Sequence, residues 1–234
     1  MKNILFVLLC LVGFAGSAYS QDDAKIIIAG VNKKFAQVND YKADVFMAFN
    51  IPGVKIKSLK GTAFYKKPNK FRIRAKGIFF LPKQNMGQDM NAMLADTKSY
   101  TAVLSGREKV GSANCAVVNI IPLSNAGELV IGKFWIDPLS SLILKSQITT
   151  RNNGTIETYN TFGVNANVGL PSRIEVRVEV GKFKVPKMIA GDINKNSKQG
   201  GTTAESKIGT IKIDFSNYKI NTKLKDVVFT EKDE

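Results

Sequence analysis

The sequence predicts a mainly β protein built as a long antiparallel meander, and three observations lead to this class. From Tyr41 onward, most segments place a hydrophobic residue at every second position, which is the period of a strand with one buried face. Turn signals such as Ser-Gly, Asp-Pro, Asn-Asn-Gly and Leu-Pro separate these segments. Only two segments have the three- and four-residue spacing of an amphipathic helix.

The first twenty residues, MKNILFVLLCLVGFAGSAYS, have the pattern of a secretory signal. Lys2 provides a positive start, and the apolar run over 4–14 is too short to span a bilayer. We therefore expect residues 1–20 to be a signal peptide that is cleaved after Ser20, with an uncleaved anchor as the alternative. The remaining 21–234 are expected to form one domain.

The segment after the signal predicts an amphipathic helix that leads directly into a strand. Two acidic residues stand at its start, where they favour the helix dipole. Its apolar residues follow at helical spacing and are Ala24, Ile27, Ile28, Val31, Phe35 and Val38. At Tyr41 the hydrophobic period changes to two and continues to Phe49.

Strands are expected over most of the remaining chain. The predicted segments after residue 75 are 99–104, 115–121, 129–136, 141–150, 155–164, 172–185 and 208–220. The clearest alternation is RIEVRVEV, from Arg173 to Val180, with one apolar and one charged face. The polar, glycine-rich stretch within 191–207 is interpreted as a mobile hairpin excursion.

The apolar face of a curved sheet lines its concave side, and a large sheet with few helices can enclose a ligand cavity. Strand parity therefore predicts which side chains point inward. These predicted cavity residues are Val45, Met47, Phe49, Phe71, Ile73, Ile174, Val176 and Val178. In YKKPNKFRIRAKG, the basic face opposite Phe71 and Ile73 is expected to meet solvent.

A second helix is predicted in LPKQNMGQDMNAMLADT, starting near Pro82. Its helical spacing places Met86, Met90, Met93 and Leu94 on one side. Methionine side chains repack easily around irregular apolar ligands, which suits a lid over variable acyl chains. Ordinary core packing under a surface helix is the alternative interpretation.

The charge of the chain points to an acidic partner. The net charge is +15, and removal of residues 1–20 takes away one lysine and leaves +14. Anionic lipid headgroups or an acidic protein fit such a surface, while export makes nucleic acid the poorest candidate. Solubility alone is the alternative explanation for the charge.

The composition excludes several kinds of catalytic site. There is no histidine, so Ser-His-Asp and Cys-His catalysis and histidine-bound metals are excluded. Beyond residue 20 the only cysteine is Cys115, in the strand-like run CAVVNII, where a buried thiol is expected rather than a reactive one. No cofactor motif or metal site is recognised, and a hydrolase using paired carboxylates remains the open alternative to a non-enzyme.

Several segments, taken in order, carry a family resemblance: NDYKADVFMAF, GTAFYKKPNKFRI, DTKSYTAVL, SGREKVGSANCAVVNIIP, KFWIDPLSSLILKSQITTRNNGTIETYNTF, LPSRIEV and FSNYKINTKLKDVVF. With the N-terminal helix, the chain resembles the bacterial outer-membrane lipoprotein carriers LolA and LolB and related lipoprotein-sorting and lipid carriers of the LppX type. The resemblance covers nearly all of 21–234. The Lys-Pro-Asn-x-Phe turn and the closing Tyr-Lys-x-Asn pattern are its more specific parts.

The resemblance implies an incomplete, strongly curved antiparallel β-barrel that encloses a hydrophobic cavity, with helices as a lid. In these carriers an arginine before the proline of that turn hydrogen-bonds the lid shut, and Lys67 holds this position here. Lysine offers a point charge without the planar fork of arginine. Expected partners are the acyl chains of a lipoprotein or other lipid, inner- and outer-membrane transport components, and transiently an anionic membrane.

Two functions from different classes follow. The first is a soluble periplasmic carrier that shields acyl chains and delivers them toward the outer membrane. The second is a non-catalytic cell-envelope module whose basic face binds an acidic protein or polysaccharide. An enzyme acting on a lipid or glycan would lack any recognisable site.

Overall fold

A computed structural model describes residues 21–52, 56–68, 70–75, 93–124, 129–152, 154–179 and 208–230. The predicted signal peptide and the predicted excursion at 191–207 lie outside these ranges. The same holds for most of the second predicted helix, including Met86 and Met90. Its described end, residues 93–95, is helical.

The described elements follow the predicted order of a helix and then strands. The two helices are α1 (Gln21–Phe35) and the short α2 (Val227–Thr230), and a 3₁₀ turn occupies Ala166–Val168. The strands are β1 (Asp40–Asn50), β2 (Leu59–Lys66), β3 (Lys70–Ala75), β4 (Tyr100–Val110), β5 (Ala113–Pro122), β6 (Leu129–Asp137), β7 (Leu142–Thr150), β8 (Gly154–Phe162), β9 (Pro171–Glu179) and β10 (Ile208–Ile220).

The ten strands form one sheet in the order β3-β2-β1-β10-β9-β8-β7-β6-β5-β4. Every pairing is antiparallel. Within the described ranges no ladder joins the edge strands β3 and β4, so the sheet remains open between them. The predicted fold class, an incomplete antiparallel barrel with few helices, is confirmed.

Helix α1 packs on one face of this sheet, called here the inner face. Its apolar stripe buries Ala24, Ile28 and Val31 against residues of β4 to β7. The helix lies close to the turn after β6, because a Cβ added at Gly30 would stand 2.7 Å from the Ser141 hydroxyl oxygen. A glycine inside the helix costs about 1 kcal/mol relative to alanine, and here it permits the close approach.

One predicted turn is wrong. Ser105 and Gly106 lie within β4, which continues to Val110. The pairing of β4 with β5 shifts register between Leu104 and Gly106, and Gly106 has a φ of 135°. A β-bulge with a glycine in this conformation bends a strand without ending it, so the Ser-Gly signal marks a bulge instead of a turn.

Among the described residues, no helix combines the length and the apolar character that crossing a bilayer requires.

Candidate lipid-binding face

The register of the strands brings all eight predicted cavity residues onto the inner face. Met47 lies opposite Ile213, which lies opposite Ile174 on the next strand. In the same way, the partner of Ala63 on β3 is Ile73. Half of the set is buried, namely Val45, Met47, Ile73 and Val178, and half is partly buried, namely Phe49, Phe71, Ile174 and Val176. Their role in ligand binding stays a prediction.

One part of the inner face, called here the closed half, is packed beneath α1. Its buried residues come from α1, β4 to β7 and residue 94: Ala24, Ile28, Val31, Leu94, Tyr100, Ala102, Leu104, Ala116, Val118, Ile120, Phe134, Ile136 and Ile143. Phe134 and Ile120 are fully buried. Burial of this extent is typical of a packed core.

The other part, called here the open half, is the inner face of β1 to β3, β9 and β10. The apolar cluster on this half has, among the described residues, as many partly buried as buried members. The partly buried members are Phe35, Phe49, Leu59, Phe71, Val168, Ile213, Phe215, Tyr218 and Ile220. Apolar side chains that remain partly accessible on a concave sheet face are suited to contact a hydrophobic ligand.

Four aromatic rings line one end of the open half. Tyr41 stacks on Tyr65 with ring centroids 5.3 Å apart and meets Tyr218 edge-on at 5.4 Å. Tyr218 in turn stacks on Phe215 at 6.0 Å. Burial raises the pKa of Tyr41, Tyr65 and Tyr218 above the ordinary value. The phenols therefore stay neutral at physiological pH, and this end of the face carries no charge.

Polar side chains lie between the two halves on β7 and β8. The buried hydroxyls of Ser146 and Thr158 lie 2.6 Å apart and share a hydrogen bond. Asn160 Nδ2 donates to the Ile143 carbonyl oxygen at 2.9 Å. The register places these residues on the same inner face as Ile174 and Val176. At these positions, hydrogen-bonded polar side chains lie between the packed core and the open apolar surface, while Ile148, Ile156 and Val178 connect the two across the same strands.

Lys67, the predicted latch, holds the end of α1. Its Nζ donates to the Ala36 carbonyl oxygen at 2.6 Å and lies 3.5 Å from Asn39 Oδ1. The Lys67 amide also donates to the Asn39 carbonyl oxygen at 2.8 Å. A cation near the C-terminal end of a helix is stabilised by the exposed carbonyls there. Any contact of Lys67 with the predicted helix at 82–92 lies outside the described residues.

The described end of the predicted lid helix is firmly attached. Met93 packs against the closed half, and Leu94 is fully buried in it. The Leu94 carbonyl oxygen accepts hydrogen bonds from Asn32 Nδ2 at 2.7 Å and from the Tyr100 hydroxyl at 2.9 Å. These bonds fix residues 93–94 to α1 and β4.

The basic face of β2 and β3, expected to meet solvent, is instead partly covered by the C-terminal segment. Asp226 bridges Lys66 at 2.7 Å and Lys70 at 2.9 Å. Arg74 Nη2 donates to the Val228 carbonyl oxygen at 3.2 Å. The hydrogen bonds and positive charge of Lys66 and Lys70 lower the pKa of Asp226 to about 2. Over 150 residues separate these partners in sequence, so no local pattern indicates the contact.

Sequence reasoning also missed the contribution of β10 to the open half. The strand was predicted, but Phe215 and Tyr218 were not recognised as inward-facing. They share the inner face although they are three residues apart, because a bulge at Asn217 interrupts the alternation. The only local signal is the Ser-Asn pair between them, with Asn217 at a φ of 51°, a conformation that asparagine tolerates better than most residues.

Two kinds of reactive group can be checked among the described residues: metal-binding clusters and the thiol of Cys115. Among them, no group of three or more His, Cys, Asp or Glu side chains could hold a metal ion. Cys115 is buried, and this burial raises the pKa of its thiol, which disfavours the reactive thiolate. Two surface hollows, of about 450 and 240 Å³, lie mostly along polar residues of β1, β9 and β10.

The fold matches several solved structures at low sequence identity. The Desulfovibrio piger protein of the DUF1329 family has a TM-score of 0.55 and 11% identity, covering 89% of this chain and 96% of that one. A candidate outer membrane lipoprotein-sorting protein domain from Vibrio parahaemolyticus has a TM-score of 0.58 and 9% identity, covering 90% and 97%. A LolA superfamily protein from Nitrosomonas europaea has a TM-score of 0.54 and 12% identity, covering 89% of this chain and 97% of that one.

These likenesses establish the fold and confirm the predicted resemblance to LolA-like proteins at that level. A search of curated protein sequences finds no match. The family model of the MucB/RseB N-terminal domain matches residues 62–180, which is slightly more than half of the chain. With its LolA-like open barrel and a match of this extent, the chain belongs to the MucB/RseB N-terminal domain family.

Proposed function

We propose that this protein is a non-catalytic periplasmic carrier that binds the acyl chains of a lipoprotein or lipid and delivers them toward the outer membrane. The open half of the inner face is the proposed binding surface. The eight predicted cavity residues belong to it, together with Ile213 and Phe215 of β10.

The observation that carries the proposal is the contrast in burial on one sheet face. Four of the eight predicted residues are only partly buried, although their parity places them on the inner face. Soluble proteins seldom leave a contiguous apolar surface without using it for a ligand or partner. Tyr41, Tyr65 and Tyr218 remain neutral, so a hydrocarbon chain that covers them removes no charged phenolate from water.

The energy of binding comes from burial of the acyl chain. Each methylene removed from water contributes about 0.8 kcal/mol, so a few acyl chains bind usefully without a specific polar contact. Such binding tolerates chains of different length, because the contact is not directional. Release requires a competing acceptor, which an outer-membrane component or a bilayer would provide.

The segment at 82–95 is proposed as the lid, with Met86 and Met90 facing the ligand, while Met93 packs against the closed half. The attachment of Leu94 to Asn32 and Tyr100 supports a lid that is fixed at its C-terminal end. Lys67 is proposed to hold the closed arrangement through the end of α1. Hydrogen exchange across 82–92 should slow when a cargo binds, and equal exchange with and without bound cargo would show that the segment belongs to the core.

Uptake of a fluorescent fatty-acyl probe tests the carrier function. Phe71→Asp places a charge on the open half and should abolish uptake while the protein stays folded. Phe46→Asp is the matched control, since Phe46 is 38% exposed on the outer face of β1, and its uptake should equal that of the native protein. Unchanged uptake by folded Phe71→Asp would contradict the proposed site.

Organic extraction of the purified protein, followed by mass spectrometry, separates the carrier from the alternative. A carrier should release co-purified lipid. An envelope module that binds an acidic protein or polysaccharide through its basic face should release none. The basic residues on the outer face of β1 to β3 are the observation that keeps this alternative in view.

Export is the remaining part of the proposal. Cleavage after Ser20 would make Gln21, the first residue of α1, the N-terminus of the secreted protein. Mass measurement of the protein isolated from the periplasm should give this N-terminus. Retention of residues 1–20 would instead support a membrane anchor.

A further inference from the structure

The outer face of the sheet is divided electrostatically. On β6 to β9, basic side chains are matched by acids: Lys133 pairs with Glu108 at 3.2 Å, and Lys145 pairs with Glu157 at 2.9 Å. Arg177 pairs with Glu175 at 2.8 Å. Lys133 and Lys145 also lie over the Trp135 ring, and the Nζ atom of each is 4.5 Å from the ring centroid. This half of the outer face is balanced and its cations are already engaged.

On β1 to β3 and the end of β10, the outer face is strongly positive. We call this surface the cationic face; its basic residues are Lys42, Lys60, Lys66, Lys70, Arg72, Arg74 and Lys219. Four acids lie on or beside this surface: Asp44 and Asp226, the buried Asp40 opposite Lys66, and Asp214 opposite Phe46, which pairs with Arg173. Lys42, Lys60 and Lys219 are exposed. Lys42 Nζ lies 5.8 Å from the centroid of the Phe64 ring, and none of the three lysines forms an ion pair within the described part of the chain.

Two of these lysines lie at positions where their like charges destabilise the folded sheet. Lys42 lies directly opposite Lys219 in the pairing of β1 with β10, and like charges at such positions destabilise a sheet. Between them opens the hollow of about 450 Å³, which Asp44, Asn217 and Tyr218 complete. Asp44 accepts a hydrogen bond from Asn217 Nδ2 at 2.8 Å. The hollow is therefore lined by two exposed lysines and by a carboxylate that already accepts a hydrogen bond. It has space for a small anionic group.

We propose that the cationic face docks on the anionic phospholipid headgroups of a bilayer, with a headgroup phosphate between Lys42 and Lys219. Flexible, exposed lysines spread over a sheet suit a laterally mobile field of phosphates, whereas an acidic protein would need a counterpart of fixed shape. Phe46, 38% exposed, lies directly opposite Lys60, and aromatic side chains favour the interface between headgroups and hydrocarbon.

This surface borders the opening of the sheet. The edge strand β3 contributes to the cationic face and also presents Phe71 and Ile73 to the open half. Docking would therefore bring the open edge of the barrel to the membrane. The inference rests on the proposed carrier function for its purpose, but docking itself requires no bound cargo.

The expected effect follows from the charge. Each lysine near an anionic bilayer contributes about 1 kcal/mol, or roughly fivefold in affinity. The triple variant Lys42→Gln/Lys60→Gln/Lys219→Gln should therefore bind vesicles that contain phosphatidylglycerol about a hundredfold more weakly. The matched control is Lys98→Gln/Arg107→Gln/Lys109→Gln, which removes the same net charge from exposed side chains on and beside β4 and should weaken binding less than about threefold.

Co-sedimentation with phosphatidylcholine vesicles, with and without phosphatidylglycerol, tests the inference. Native protein should bind only the anionic vesicles, and high salt should release it. Equal weakening by both triple variants would overturn the cationic face as the docking surface and show that binding depends only on the net charge of the protein. Binding to soluble polyglutamate without binding to anionic vesicles would overturn it in favour of an acidic protein partner.

Acyl-probe uptake in solution, measured on the same variants, separates this inference from the proposed function. Both triple variants should take up the probe as the native protein does. Native protein that binds anionic vesicles but takes up no probe would contradict the carrier function and support the docking surface. Native protein that takes up the probe but binds no anionic vesicle would overturn the docking surface alone.

Discussion

The closed and open halves belong to one sheet with one inner face, yet they differ in how completely they are covered. Among the described residues, the closed cluster has thirteen buried and three partly buried members, while the open cluster has nine of each. Small residues explain part of the difference, because Ala24, Ala102 and Ala116 let α1 approach the closed half. The comparison teaches that a single helix covers one half as a core, while the other half keeps as many partly buried as buried apolar residues.

The largest expected effect contrasts a phenylalanine from each half. Phe134→Ala empties a fully buried position in the closed half and should lower the free energy of unfolding by about 3–5 kcal/mol. Phe71→Ala removes a partly buried ring from the open half and should cost about 1–2 kcal/mol. Urea denaturation of the two variants measures both values. Equal losses would mean that the two halves are equally packed.

The boundary between the halves can be tested next. Thr158→Val leaves the buried Ser146 hydroxyl without its partner and should cost about 1–3 kcal/mol. The double variant Ser146→Ala/Thr158→Val removes both polar groups, so its stability should return close to that of the native protein. Urea denaturation of the single and double variants forms the cycle. A double variant as unstable as the sum of the singles would show that the pair does not act together.

A smaller effect is expected where Lys67 attaches α1. Lys67→Leu removes the bond to the Ala36 carbonyl and should cost about 1 kcal/mol of local stability. Hydrogen exchange of the Val38 amide should become severalfold faster. Lys34→Leu is the control, because Lys34 Nζ binds the Ala166 carbonyl at 3.1 Å and its loss should loosen 166–170 instead. Unaltered exchange at Val38 would show that Lys67 does not restrain this end.

The smallest effect concerns pH and the C-terminal segment behind the open half. The pKa of Asp226 lies at about 2, below its usual value of 3.8. The bridges to Lys66 and Lys70 therefore stabilise the docked segment fully above about pH 4, and this stabilisation is lost as the pH falls through about 2. Amide exchange across 224–228 should accelerate in that window. Asp226→Asn should show the faster exchange already at neutral pH, and a transition above pH 5 would assign it to another group.

The inner face could largely be predicted from sequence because strand parity is a local property. The alternation at 41–49 and 173–180 assigns a face to each side chain without knowledge of its neighbours. The same logic failed where one residue is inserted into a strand. Gly106 and Asn217 each lie at a shift of register, and the sequence around them was interpreted as a turn in the first case and as an uninterrupted strand in the second.

The charge of the outer face could be predicted, but its contacts could not, since the partners are distant in sequence. Arg74 and Lys66 meet the C-terminal segment across more than 150 positions. The run CAVVNII was correctly assigned to a strand, but it buries residues on both faces. Cys115 and Val117 form a small outer cluster with Trp135, covered by the stems of lysine side chains. Only the three-dimensional pairing of β5 with β6 shows this second layer.

Photolabelling with a fatty acid that carries a diazirine on its chain tests the central claim most directly. Because the open half is proposed to hold the acyl chain, mass spectrometry should locate the cross-links at Phe49, Phe71, Val176 and Ile213, with an excess of unlabelled fatty acid suppressing them. Cross-links confined to the closed half or to the outer face, with the probe demonstrably bound, would contradict the account.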